Sequence, residues 1–86
     1  MLIKELRLDP STEEKIVLKH GIMKCEIEEV LFWDEPKYFK ARNERYMAIG
    51  FSQRPITIIF EYADGIANAV TSYPTSKWQR KLYERK

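Results

Sequence analysis

Nine side chains in residues 37–86 of this 86-residue sequence are of the types that handle phosphate and protons: Lys40, Arg42, Arg45, Arg54, Tyr73, Lys77, Arg80, Lys81 and Tyr83. Arginine grips a phosphate through planar paired N–H groups, lysine adds a point charge, and tyrosine or a lysine of lowered pKa can move a proton. Together they suffice for one metal-free reaction. The ribose 2′-OH of RNA lies beside the phosphorus it attacks, so a catalyst need only orient the backbone, stabilise the added phosphorane charge and move protons. Tyr38, Phe39 and Tyr46, interleaved with the cations, can stack unpaired bases.

Each of these residues has a structural alternative. Arg45 and Arg54 can clamp the scissile phosphate or sit solvated and paired on a strand. Tyr73 and Tyr83 can position a proton or close the small core with the hydroxyl at its rim. Lys77 and Arg80 can stabilise charge, or form a basic helix that binds an acidic protein. The single histidine, His20, can contact RNA or carry a proton, because its unperturbed pKa lies near neutrality, or it can favour a helix C-terminus. Trp33 and Trp78 read as core or partner anchors, and Cys25 as a small hydrophobe.

Other chemistries lack their parts. One histidine, one cysteine and no Gly-rich phosphate loop exclude a zinc site, a Cys-His or Ser-His-Asp triad, a P-loop and a dinucleotide fingerprint, so no cofactor or metal is expected. Glu26, Glu28 and Glu29 read as a solvated helix face. A lone cysteine fits a reducing cytoplasm, and without ~18 uninterrupted apolar residues or a signal sequence no membrane association is expected.

Charge is unevenly distributed. Residues 1–36 carry five Lys/Arg against nine Asp/Glu, a net −4, while residues 37–86 carry ten against four, a net +6. The second half attracts phosphates, in RNA or otherwise, or an acidic protein. At 44% hydrophobic and 33% charged the chain should fold as one domain, residues 1–86, with a core thin enough for a partner subunit to add stability.

The elements that must position these residues follow from local pattern. Residues 2–8 alternate weakly, as a short strand or an extended arm. Asp9-Pro10 starts a helix that runs to Lys19 or His20 and stops at Gly21. A second helix over residues 25–33 places Ile27, Val30, Leu31 and Asp34 on one face, and Pro36 ends it. The period then changes to two: Tyr38–Arg42 and Arg45–Phe51 form a hairpin around Asn43-Glu44, Ile56–Tyr62 is the central strand, and Ile66–Tyr73 returns after Asp64-Gly65. After Pro74 a last helix packs Trp78, Leu82 and Tyr83 on the sheet and leaves Lys77, Arg80, Lys81, Arg85 and Lys86 outside. The expectation is an α+β domain with two N-terminal helices, an antiparallel sheet of about four strands and a C-terminal helix.

Several short segments resemble the BrnT family of toxins. Leu8-Asp9-Pro10 followed by Lys19-His20-Gly21-Ile22 is similar to that family's opening. Arg45-Tyr46-Met47-Ala48-Ile49-Gly50-Phe51-Ser52 resembles its Arg-x-x-x-Ile-Gly-x-Ser strand, with Arg54 and the apolar strand Ile56–Phe60 after it. Val70 to Tyr83 matches in order, through Leu82-Tyr83-Glu84. The resemblance implies a RelE-like fold and a cytoplasmic ribonuclease that inhibits translation. It also implies a small antitoxin, of the ribbon-helix-helix kind, and assembly as a homodimer or as a heterotetramer with that antitoxin. On it Arg45 and Arg54 are phosphate ligands, Lys77 or Arg80 the charge stabiliser, Tyr73 or Tyr83 the proton-transfer support, and His20, Lys40, Arg42, Arg80 and Lys81 further RNA contacts. This chain departs from the family in carrying Thr71-Ser72-Tyr73-Pro74 where Ile-Ser-Ala-Arg is usual, and Ile16 where an Asn is usual. Its strand ending is more similar to a neighbouring branch of RelE-like domains. A catalytically silent module that keeps the fold and the antitoxin surface is the alternative expectation. A DNA-binding subunit is a third, weaker one, because no helix-turn-helix pair is evident.

Overall fold

In the computed structural model, which describes residues 2–85, the chain runs β1 (Glu5–Arg7), α1 (Pro10–His20), α2 (Lys24–Glu28, continuing as a wider π-helical turn over Glu29–Trp33), β2 (Lys37–Lys40), β3 (Tyr46–Phe51), β4 (Pro55–Ala63), β5 (Ile66–Pro74) and α3 (Lys77–Glu84). Helix α1 keeps the expected ends. The Asp9 carboxylate accepts from the Ser11 hydroxyl, which chiefly holds that carboxyl below its ordinary range, and from the Ser11 N–H at 3.2 Å. At the other end Gly21 adopts φ 67° and its N–H reaches the Val17 carbonyl at 2.9 Å, the left-handed cap that only glycine takes without cost.

The sheet is mixed and has five strands in the order β1-β5-β4-β3-β2, which corrects the expectation of about four antiparallel ones. Strands β2 to β5 are antiparallel neighbours, while β1 lies parallel to β5 with Glu5 opposite Ile66 and Arg7 opposite Asn68. The Gly65 carbonyl anchors it, accepting the Lys4 and Glu5 N–H groups at 2.7 and 3.2 Å. Three residues of alternation cannot announce such a partner, because the pairing is set by a turn about sixty residues downstream.

Two of the three hairpin turns use left-handed residues. Asp64 and Gly65, with φ of 51° and 81°, join β4 to β5 in the combination of a type I′ hairpin, whose twist matches the flanking strands. Asn43 and Glu44 both sit at φ 60° between β2 and β3, closed by the Arg45 N–H on the Arg42 carbonyl at 3.2 Å.

Residues paired across the ladder share a face. On one, Ala48, Ile58 and Phe60 meet Ile16, Ile22, Ile27, Val30 and Leu31 from α1, its connector and α2. Phe60 is fully buried, with the rings of Tyr38 and Tyr46 at 6.3 and 6.0 Å. The opposite face carries Met47 and Ile59 in one row and Ile49, Thr57 and Tyr73 in the next, and α3 lies across it.

Helix α2 differs from its expected form after Glu28. The Asp34 N–H bonds the Glu29 carbonyl at 2.8 Å, one residue further than in an α-helix. Val30 and Leu31 remain buried, but Asp34 leaves the helical face in an extended conformation and its carboxylate accepts the Phe51 N–H at 2.8 Å. Gly50 makes this contact feasible. A Cβ there would stand 2.7 Å from Asp34 Oδ2 and 3.0 Å from Val30 Cγ1. The two tryptophans are not core residues: Trp33 is 83% exposed and Trp78 60%. Cys25 is likewise exposed rather than packed as a small hydrophobe. Among the described residues no helix is long and apolar enough to cross a membrane, and no three His, Cys, Asp or Glu side chains converge as metal ligands.

Candidate nucleic-acid interface

The face under α3 is built around an amide. Ser76 precedes the helix, and Gln79, three residues on, turns its Oε1 back to accept the Ser76 N–H at 3.1 Å, the side-chain-to-backbone half of a capping box. This orientation sends Gln79, Leu82 and Tyr83 toward the sheet and rotates Trp78 outward, correcting the expectation that Trp78 packs beneath the helix. Gln79 is 1% exposed. Its Nε2 donates to the Tyr73 hydroxyl at 2.9 Å and lies 3.4 Å from Met47 Sδ, and its Oε1 accepts the Thr57 hydroxyl at 3.1 Å.

Beside α3 opens a groove of about 590 Å³. Met47 and Ile59 floor it, Phe39 and Leu82 form its walls, and Trp78, Tyr73, Lys40 and Arg42 stand at its edge. The lining contains no carboxylate. Lys40 and Arg42 are exposed, and among the described residues no hydrogen bond or ion pair neutralises them. Aromatic faces beside unneutralised cations and a hydroxyl are the components from which single-stranded nucleic acid is gripped.

The remaining sequence candidates divide by position. Lys77 and Lys81 are exposed on α3 and do not line the groove. Arg80 lies on the other side, lining a smaller cleft with Phe51, Pro55 and Tyr83. Tyr83 is engaged there. Its ring meets Phe51 at 5.6 Å, the Lys37 ammonium sits 4.5 Å above it, and its carbonyl accepts from the same lysine. His20 reaches the Tyr73 ring at 5.9 Å from the end of α1 and also borders a cleft of about 250 Å³ with Thr12, Lys15, Lys19 and Thr71.

Arg45 and Arg54 are not brought together. They flank β3 at its two ends, and six residues of strand at about 3.4 Å each separate them by roughly 20 Å. Arg54 is committed to structure: its Nη2 donates to the Gly21 carbonyl at 2.7 Å and to Glu26 Oε1 at 3.2 Å, and its Nε to Glu26 Oε2 at 3.2 Å. This fork holds the Glu26 carboxyl below its ordinary range, helped by the Met23 N–H. Arg45 Nε stands 3.7 Å from Glu61 Oε2, a charge pair too long to be a hydrogen bond. Nor are the α2 carboxylates merely solvated, since Glu29 accepts the Ser52 hydroxyl at 2.8 Å.

Gln79 and Thr57 were absent from the sequence candidates. The pattern Ser76-x-x-Gln79 ahead of an amphipathic segment is the signal that could have found the first. Thr57, in the middle of an apolar strand, carried none.

The chain matches no protein-family model and no curated protein. Among solved structures it is similar to the BrnT ribonuclease toxin of Brucella abortus, known from a crystal structure at 1.1 Å, with 22% identity and a TM-score of 0.69 over 85% of this chain and 97% of that one. A five-stranded mixed sheet with helices on one face and α3 across the other is therefore a BrnT-like fold.

Proposed function

We propose that this protein is a metal-independent ribonuclease toxin of a type II toxin–antitoxin pair, acting on RNA in the cytoplasm through 2′-OH attack at the face beside α3. One observation carries the reading: the groove joins Trp78, Tyr73 and the unneutralised cations Lys40 and Arg42 in one place without a carboxylate. In this reading Lys40 and Arg42 hold the RNA backbone, Lys77 and Lys81 add positive charge along α3, Trp78 stacks a base and Tyr73 donates to a phosphate oxygen. His20 supports Tyr73 from behind, and Arg80 extends the basic surface. Arg45, Arg54 and Tyr83 act as structure. The small antitoxin would cover this same basic face.

The test is cleavage of a mixed-sequence RNA in EDTA, with the ends mapped. The expected result is 2′,3′-cyclic or 3′-phosphate ends, with a loss of about tenfold or more in Tyr73→Phe and in the Lys40→Ala/Arg42→Ala protein. Binding should lose about one unit of its log-salt slope per cation removed. No cleavage, on free RNA or on translating ribosomes, would overturn the catalytic reading.

A second reading, a catalytically silent module that complexes an antitoxin-like protein, has its own support. Arg54 is bonded to Gly21 and Glu26, and Pro74 stands where the resembled family carries an Arg. Harmless expression of the wild-type protein without its genomic neighbour would favour it.

A further inference from the structure

The hydrogen bonds around Gln79 have a direction. An amide side chain can be turned end for end, exchanging oxygen and nitrogen, and only its neighbours say which way it lies. Here Ser76 decides. A backbone N–H can only donate, so the amide atom 3.1 Å from Ser76 N is the oxygen. Nε2 then necessarily faces Tyr73 Oη, 2.9 Å away. The Thr57 hydroxyl, 3.1 Å from Oε1, must donate to it, which leaves a Thr57 lone pair for the Thr75 hydroxyl at 3.0 Å. Protons thus point one way along the chain Thr75, Thr57, Gln79, Tyr73. Each bond polarises the next.

At the end of that chain the Tyr73 oxygen is an acceptor for Gln79, and its own proton is left to point away. We propose that Gln79 is a positioning residue that makes the Tyr73 hydroxyl a fixed hydrogen-bond donor toward a phosphate oxygen of single-stranded nucleic acid in the groove. This rests on reading the groove as an RNA site. The groups facing Tyr73 agree with an anionic acceptor: Lys40 and Arg42 stand on the same groove, the His20 ring approaches from α1, and no carboxylate lines the groove to take the proton. Gln79 itself meets Tyr73, Thr57, Ser76 and Met47, of which only Tyr73 titrates.

Gln79→Glu tests this with almost no change of shape. An ionised carboxylate accepts where Nε2 donated, so Tyr73 turns its proton inward. The probe is an uncleavable 2′-O-methyl oligonucleotide, bound by the wild type, Gln79→Glu, Tyr73→Phe and the double variant across pH. At pH 8 Gln79→Glu should bind about tenfold more weakly, the size expected for a hydrogen bond to a charged group. Affinity should return as pH falls, because a buried carboxyl protonates readily and then donates as the amide does. Added to Tyr73→Phe, the Gln79→Glu change should cost nothing more. Wild-type affinity at pH 8, or an equal loss in the Tyr73→Phe background, overturns the proposal.

If the wild type binds no oligonucleotide, the RNA reading fails, and ¹³Cζ-tyrosine NMR still decides the role of Gln79. The Tyr73 phenol should titrate at higher pH in Gln79→Glu than in the wild type, and an unchanged titration overturns the proposal. Should Gln79→Glu not fold, Gln79→Met removes the donor to Tyr73, together with the acceptor that Ser76 and Thr57 use. It should weaken oligonucleotide binding only when Tyr73 is present, and an equal loss in the Tyr73→Phe background again overturns the proposal.

Discussion

The two faces of the sheet are closed by opposite means. Toward α1 and α2 the contact is aliphatic and aromatic, with Ile16, Ile22, Ile27, Val30, Ile56, Ile58 and Phe60 all at most 2% exposed. Toward α3 the centre is a polar chain, Thr57, Gln79 and Tyr73, with a groove lined by Phe39, Met47, Ile59 and Leu82 beside it. Apolar burial is insensitive to direction and supplies most of a small domain's stability. Hydrogen bonds are directional, and they fix where a hydroxyl points. Most of the fully buried apolar side chains lie on the α1–α2 side, while the α3 side adds Met47 and Ile49 around a buried polar chain.

Substitutions on the two faces should separate these properties. The largest effect is expected from Phe60→Ala, which empties a fully buried ring site and should cost about 3 to 5 kcal/mol in chemical denaturation. Trp78→Ala, on the exposed side, should leave the denaturation midpoint nearly unchanged and weaken oligonucleotide binding. Comparable destabilisation by the two would erase the contrast. Next comes Gly50→Ala, where a Cβ meets Asp34 and Val30 at 3.0 Å or less and should cost about 1 to 3 kcal/mol by the same measurement. The smallest effect is acidic. Because Arg54 depresses the Glu26 pKa, that pair stabilises the fold fully above the ordinary glutamate value of about 4.3, and the contribution is lost as pH falls from there through the lower folded value. Glu26→Gln should flatten this part of the acid limb of a stability–pH curve. An acid limb identical to wild type would remove Glu26 from the account.

Local signals in the sequence were legible and distant ones were not. Helix α1 begins and ends where Asp9-Pro10 and Lys19-His20-Gly21 place it, because caps act within a turn of themselves. The β2–β3 and β4–β5 hairpins likewise follow their turn residues. Which cations converge is a different matter. Arg45 and Arg54 are nine residues apart on an extended strand and its turn, and such spacing separates side chains rather than gathering them. The residues that carried the family resemblance explain why it transmitted fold. Gly50, Ser52 and Arg54 contact or bond Asp34, Glu29 and Glu26, fastening the β3–β4 hairpin to α2, and Gly21 receives the same arginine. Of the two roles read for Trp33 and Trp78, the core one fails, because the π-helical turn and the Ser76–Gln79 cap rotate both outward.

Strand β1 imposes an order on synthesis. Its partners, Ile66 to Asn68, are made some sixty residues after it, whereas β3, β4 and β5 are joined by connections of two or three residues and can pair as they emerge. Residues 5–7 must therefore wait, unpaired, until the Asp64–Gly65 turn has formed and Gly65 can offer its carbonyl to Lys4 and Glu5. The first strand made is the last whose partner exists, so the sheet is completed from its later strands back to its earliest one.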